Sequence, residues 1–198
     1  MLSYQVKPIR SLKALGRDLL SEIPWYSDAV KALIYLTVGS DLMPWNDDEK
    51  WRNGKTAEKP ELLSFMRLMV DLAPDPAIRT LADRWVKRLP VEGLSLDFYA
   101  PGSMKLLALR TGWGTASLAV FLQLGLSTSN KHRHMDAGSF QIARGKDWLS
   151  RETVGYTNQI LVEGTTKVDC KTAIAHNVLT FNGKGMANAY HKGNPKVS

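Results

Sequence analysis

The spacing of apolar residues along the chain changes near residue 90. Before this point apolar residues recur three and four positions apart, which is typical of helices packed on one face. The segment SDAVKALIYLTVG begins with Ser27, a favourable N-cap, and ends at Gly39. The segments PELLSFMRLMVDLAP and PAIRTLADRWVKRLP begin with Pro60 and Pro76, and proline suits the first turn of a helix. The pattern therefore predicts a helix in each of the three segments.

After Pro90 the apolar residues alternate with polar ones in short runs, which favours β-strands. The runs are LSLDFYA, SMKLLALRT, ASLAVFLQL, GSFQIA, DWLS, NQILVEG and NVLTFNG. Short strands of this kind predict an antiparallel sheet. Helices followed by strands predict an α+β protein with a boundary near residues 90–94, so that residues 1–93 form a helical segment and residues 94–198 a sheet domain.

The composition is that of an ordinary globular protein, with 44% hydrophobic and 23% charged residues. No stretch approaches the roughly 18 consecutive apolar residues of a membrane span, and the amino-terminal segment lacks the apolar centre of a signal peptide. The single cysteine, Cys170, excludes an internal disulfide and a cysteine-rich zinc module. A membrane partner is therefore not expected, and the sequence shows no export signal.

The positive charge is confined to the second half of the chain. Residues 1–100 hold 14 basic and 14 acidic side chains, whereas residues 101–198 hold 12 basic and 5 acidic ones, which accounts for the whole net charge of +7. The four histidines also lie in the second half. A basic surface of this kind attracts polyanions, whether nucleic acid, anionic lipid or acidic polysaccharide.

The segment HRHMDAGSF carries the densest group of ionisable side chains. If residues 132–136 are extended, then His132, His134 and Asp136 point to one face. Such a group is either a solvated strand surface or a site for metal binding or proton transfer. Glu152 and His176 lie near other predicted strands, and two imidazoles with a carboxylate are a common zinc ligand set.

Three segments in order resemble the carboxyl-terminal signature of the heparinase II/III-like polysaccharide lyases. HRHMDAGSFQIARGKDWLSRETVGY is similar to the family's H-x-H-x-D-x-x-S-F strand and the turn after it, and KTAIAHNVLTFNGKG is similar to its A-H-N strand. The preceding run LRTGWGTASLAVFLQLG is similar to the strand pair that comes before the signature. The resemblance covers about residues 104–186 and is weaker in the helices.

The resemblance implies a role for each matching residue. His132 takes the position of the family's imidazole that is either catalytic or faces the substrate carboxylate. His134 and His176 take the positions of two ligands of a structural divalent metal, zinc being the expected ion. Glu152 stands where the family usually has an aspartate ligand, so this ligand is one methylene longer here. Asp136 is expected to orient the segment that carries the histidines.

The resemblance also implies a fold and an activity. The helices would be the last of an α/α toroid, followed by an antiparallel β-sandwich, and the enzyme would cleave a uronic-acid-containing glycan by β-elimination. Arg151 and Tyr156 are candidate substrate-binding residues, although Arg151 is equally suited to a solvated surface and Tyr156 to the core. In the family, a tyrosine that acts as acid or base and an asparagine or histidine that neutralises the carboxylate come from the toroid, which about ninety helical residues cannot complete. We therefore expect a fragment of a periplasmic or secreted lyase that lacks part of its catalytic machinery.

A second hypothesis is a noncatalytic module that binds acidic polysaccharide through its basic surface and uses the metal only to hold strands together. Nucleic acid is not an expected partner, because the sequence has no helix-turn-helix, zinc-finger or RNA-recognition motif and does not interleave basic with aromatic residues. The oligomeric state is not indicated by the sequence.

Overall fold

The computed structural model describes residues 3–43, 59–101, 105–125, 134–151, 173 and 176–185, with residues 3–5 described by backbone alone. These residues form an α+β protein. The helices are α1 (Ser3–Ala14), α2 (Leu19–Glu22), α3 (Trp25–Tyr35), α4 (Pro60–Leu72) and α5 (Pro76–Val86). The strands are β1 (Thr37–Val38), β2 (Asp41–Leu42), β3 (Asp97–Ala100), β4 (Leu106–Arg110), β5 (Leu118–Gln123), β6 (Ser139–Arg144) and β7 (Asp147–Ser150).

The described residues fall into two compact units. One contains the described residues up to Leu42 and those from Lys59 to Ser95, and the other contains Met43 and the described residues from Leu96 onward. The first unit holds all five helices and the β1–β2 hairpin, and the second holds the remaining strands. None of the helices in the described ranges has the length and apolar character needed to cross a membrane.

Helices α4 and α5 begin where their prolines predict. Pro60 and Pro76 occupy the first turn of each helix, and the Asp75 side chain caps α5 by accepting a hydrogen bond of 2.8 Å from the backbone N–H of Ala77. The two helices pack against each other through apolar residues spaced three and four apart, with Phe65, Met66, Leu68 and Met69 buried on α4 and Ile78, Leu81, Ala82 and Trp85 buried on α5. The predictions for both helices are confirmed.

Helix α3 differs from its predicted bounds at both ends. It begins at Trp25 rather than after Ser27, with Pro24 at the N-cap position. The earlier start buries Tyr26, whose ring lies 6.4 Å from that of Phe65, and this apolar burial outweighs the better capping group. The helix also ends at Tyr35, before Gly39, because the following residues pair as the β1–β2 hairpin.

A chain of two hydrogen bonds joins α5 to α3. The indole Nε1 of Trp85 donates to the hydroxyl of Thr37 over 2.8 Å, and that hydroxyl donates to the carbonyl of Leu33 over 2.6 Å. Trp85 can therefore be buried without leaving its N–H unsatisfied. These two hydrogen bonds fix the position of α5 along α3.

The second unit is built on one five-stranded antiparallel sheet. Strands β3 to β7 are neighbours in chain order, and each pairs antiparallel with the next. The strand predictions are confirmed for LSLDFYA, SMKLLALRT, ASLAVFLQL, GSFQIA and DWLS. The run NQILVEG lies outside the described residues.

The prediction of a strand in NVLTFNG is wrong. Residues 176–180 form a turn and irregular structure, and the only pairing in this described stretch is an isolated bridge between Phe181 and Lys184. Asn182 and Gly183 both have a positive φ and form the two-residue turn between Phe181 and Lys184. The alternating pattern of residues 177–181 was therefore not a reliable sign of a strand.

The turn between β6 and β7 depends on Gly145. This residue has a φ of 59° at the first position of a two-residue hairpin loop, and its N–H donates to the carbonyl of Ser117 over 2.8 Å. A side chain at this position would overlap the carbonyl oxygen of Thr115. Glycine therefore allows the hairpin loop to lie against the loop before β5.

We predict that Gly145→Ala lowers the free energy of unfolding by more than about 1 kcal/mol, because alanine disfavours the positive φ and its Cβ overlaps the neighbouring backbone. Lys146→Ala, an exposed change in the same loop, should alter stability by less than about 0.5 kcal/mol. Urea unfolding followed by circular dichroism measures both. Equal midpoints for the two variants would contradict the prediction.

Candidate functional site

The HRHMDAGSF segment enters β6 through a tight turn. The N–H of Ser139 donates to the carbonyl of Asp136 over 2.8 Å, and Gly138 has a φ of 82° at the third position of the turn. This combination is typical of a type II turn, which requires glycine at that position. The N–H of Gly138 also donates to the carbonyl of Gln123 over 2.6 Å, so the turn is tied to the end of β5.

Residues 134–136 are not part of a strand in the structure. His134, Met135 and Asp136 are all buried, at 3%, 3% and 4% exposure, and β6 begins only at Ser139. The expectation that alternate residues of an extended segment share one face therefore does not hold for the described part of this segment. Burial of three consecutive side chains is possible because the chain bends at Met135.

The second histidine segment is held in place by backbone hydrogen bonds. The N–H of His176 donates to the carbonyl of Ala173 over 3.1 Å, and the N–H of Phe140 in β6 donates to the carbonyl of Asn177 over 3.1 Å. In addition, the side-chain amide of Asn177 donates to the hydroxyl of Ser150 at the end of β7 over 3.0 Å. The chain around His176 is thus attached to two strands of the sheet.

The close approach of Gly185 to Ala173 also supports the segment that carries His176. A Cβ added at Gly185 would overlap the Cβ of Ala173, which is buried. Because the carbonyl of Ala173 accepts the hydrogen bond from His176, the lack of a side chain at Gly185 contributes to the placement of that histidine.

These contacts bring His134 and His176 together, although 42 positions separate them in the sequence. Their ring centres lie 5.0 Å apart with an angle of 55° between the planes, and the Nε2 atom of His176 is buried from solvent. Two imidazoles that share a tetrahedral zinc ion, with each nitrogen about 2 Å from the metal, have ring centres about 5 Å apart. Two rings in ordinary tilted contact have a similar separation. The spacing therefore fits a shared ion and equally fits direct packing.

The other predicted site residues are located as follows. His132, Glu152 and Tyr156 lie outside the described residues. Arg151 directly follows the last residue of β7 and is half-buried. Within the described ranges, no three side chains from His, Cys, Asp and Glu form a group suited to a metal ion. The structure thus brings together two of the predicted ligands and does not describe the third.

One face of the sheet carries buried polar side chains that the sequence analysis did not single out. Gln123 and Ser139 are direct neighbours on β5 and β6, and Gln141 is opposite Phe121 two residues further along. All three polar residues are at most 2% exposed. A polar residue at an inward position of an alternating strand was the signal that would have identified them.

A row of aromatic rings and one cation crosses the same face of the sheet. The guanidinium of Arg110 lies 4.7 Å from the ring centre of Trp113 and 5.7 Å from that of Phe121, whose ring lies 5.7 Å from that of Trp148. Arg110, Phe121 and Trp148 share this face by their pairing with Ala119 and Ala143. Cation–aromatic contacts of this kind stabilise an arginine that is partly removed from water.

Comparison with known proteins finds no family model and no curated protein that matches this chain. The likeness to heparinase II/III-like lyases therefore depends on the sequence motifs alone, and the roles that it implies are proposals.

We predict that Gly185→Ala displaces the segment that carries His176. The added methyl group overlaps Ala173, and such overpacking costs about 1–3 kcal/mol of stability. Gly114→Ala is the matched control, because a Cβ there meets only the Ser117 hydroxyl at 3.8 Å. Chemical unfolding and the NMR signals of the imidazole protons measure the effect. Unchanged stability and unchanged imidazole signals for Gly185→Ala would show that the close approach is unimportant.

Proposed function

We propose that the chain belongs to a polysaccharide lyase that cleaves a uronic-acid-containing glycan by β-elimination. In this proposal the helices are the last of an α/α toroid, and the five-stranded sheet is one layer of a β-sandwich. The observation that carries the proposal is the 5.0 Å approach of His134 and His176, because the lyase motifs require these two distant histidines to meet. The α+β architecture with an antiparallel sheet after the helices is in keeping with it.

The residues present suit a structural divalent ion, with zinc the best candidate. Imidazole nitrogen and carboxylate oxygen are ligands that zinc accepts, and the spacing of the two rings fits a tetrahedral site. His134, His176 and Glu152 would hold the ion. When bound, the ion would tie the turn before β6 to the segment after residue 173 and so stabilise this part of the fold.

In this proposal the elimination chemistry is assigned to His132, Arg151 and Tyr156. A base removes the proton from the carbon beside the uronate carboxylate, a carbon–carbon double bond forms, and the bond to the glycosidic oxygen breaks as that oxygen takes up a proton. His132 has an imidazole suited to accept the proton near neutral pH. A cation close to the carboxylate stabilises the negative charge that develops there. Arg151 is proposed to supply this charge, and Tyr156 to contact the sugar.

A noncatalytic module that binds acidic polysaccharide is the second candidate. It is favoured by the concentration of the net charge of +7 in residues 101–198, which attracts polyanions without any catalytic group. In this case the metal would be purely structural. The resemblance to the lyase family suggests export to the periplasm or outside the cell, and this location is part of the lyase proposal.

We predict that protein purified under mild conditions contains about one zinc ion per chain, and that His134→Ala and His176→Ala each remove most of it, because each variant deletes a ligand. His191→Ala, which deletes a histidine that is not among the proposed ligands, should retain the metal. Elemental analysis by mass spectrometry measures the stoichiometry. Absence of divalent metal from the unaltered protein would contradict the proposed site.

We also predict that His132→Ala lowers the rate at which unsaturated uronate ends form by at least about 100-fold, because a proton-transfer group is lost. The variant is made in the longest form of the protein that has lyase activity. Near-ultraviolet absorbance follows the product, with His191→Ala as the control. A glycan-binding assay separates the two candidates. If the protein is a lyase, His132→Ala should lose turnover and keep its affinity for the glycan. If it is a binding module, neither the unaltered protein nor His132→Ala should form product. Normal turnover by His132→Ala would remove His132 from the mechanism.

A further inference from the structure

Asn177 is the residue that connects the second histidine to the sheet. Its carbonyl accepts a hydrogen bond from Phe140 in β6, and its side-chain amide donates to the hydroxyl of Ser150 at the end of β7. Asn177, Ser150 and Phe140 are all half-buried. One residue thus links a segment without regular structure to two neighbouring strands.

These bonds limit where the imidazole of His176 can lie. The N–H of His176 is held by the carbonyl of Ala173, and the carbonyl of the following residue, Asn177, is held by β6. Because peptide bonds are planar, only the φ and ψ angles of His176 and Asn177 vary between these two hydrogen-bonded groups. The two bonds therefore restrict the backbone that carries the imidazole.

The hydroxyl of Ser150 accepts the hydrogen bond from the side-chain amide of Asn177 at a fixed place in the sheet. It occupies the last position of β7, and the amide of Asn177 reaches it over 3.0 Å. Strand β7 is paired with β6, so both anchors of Asn177 belong to the same rigid sheet. A movement of the His176 segment would have to break both bonds.

We propose that Asn177 is a positioning residue that holds the imidazole of His176 against that of His134 through its side-chain bond to Ser150. The chemistry that this arrangement serves, binding of a divalent ion by both imidazoles, rests on the proposed function. The positioning itself is a property of the folded chain and can be tested without metal.

The first experiment uses the metal-free full chain. A nuclear Overhauser contact between the ring protons of His134 and His176 is expected in the unaltered protein, since the ring centres are 5.0 Å apart. Asn177→Ala and Ser150→Ala should each weaken or abolish this contact, whereas Ser150→Thr, which retains the hydroxyl, should preserve it. Thr180→Ala is the matched control, because it removes an exposed hydroxyl from the same segment.

The second experiment adds zinc, or cobalt as a coloured substitute, to the same variants. Asn177→Ala and Ser150→Ala should each weaken binding about 10- to 100-fold, as loss of a group that orients a ligand does, and should change the visible cobalt spectrum. The double variant should bind no more weakly than either single variant, because both changes remove the same hydrogen bond. Ser150→Thr and Thr180→Ala should bind as the unaltered protein does.

The outcomes separate the two proposals. If Asn177→Ala and Ser150→Ala both retain the ring contact and the metal affinity, the positioning role is overturned while the metal site stands. If the unaltered protein binds neither ion, the metal site fails, and the ring contact alone then decides the positioning role. If Asn177→Ala does not fold, Ser150→Ala still decides the outcome, since it leaves the backbone bond to Phe140 intact.

Discussion

The placement of His176 depends on hydrogen bonds between a segment without regular structure and two strands of the sheet. Bonds from Phe140 and to Ser150 attach Asn177 to β6 and β7, and the neighbouring histidine follows. These strands are themselves in fixed register with the rest of the sheet. The position of the His176 ring beside that of His134 therefore depends on the attachment of Asn177 to the sheet. Any chemistry that uses both rings depends on these hydrogen bonds.

The sheet also buries several polar side chains on one face. Its inward face carries Gln123, Ser139 and Gln141 beside the aromatic rings of Phe121 and Trp148. Polar side chains are costly to bury unless they are hydrogen-bonded, and the side-chain amide of Gln123 donates to the carbonyl of Gly125 over 3.4 Å. Buried polar side chains on such a face have fewer allowed orientations than apolar ones, because each must keep its hydrogen bonds.

The helical unit and the sheet unit contribute differently to the proposed function. The helices bury regular apolar faces, and their polar links, such as that from Trp85 to Thr37, stabilise contacts between helices. The described residues of the candidate site all belong to the sheet unit; they are His134, Asp136, Arg151 and His176. In the lyase proposal, further catalytic residues come from the toroid.

The sequence by itself determined the elements whose pattern is local. The starts of α4 and α5 at Pro60 and Pro76 and the five strands of the sheet followed from proline placement and alternation, because these signals act within a few residues. Tertiary structure decided the rest. Burial of Tyr26 moved the start of α3, a bend replaced the expected strand at residues 134–136, and paired positive φ angles turned the chain after Phe181. The meeting of His134 and His176 likewise required bonds between segments far apart in the chain, which no local pattern encodes.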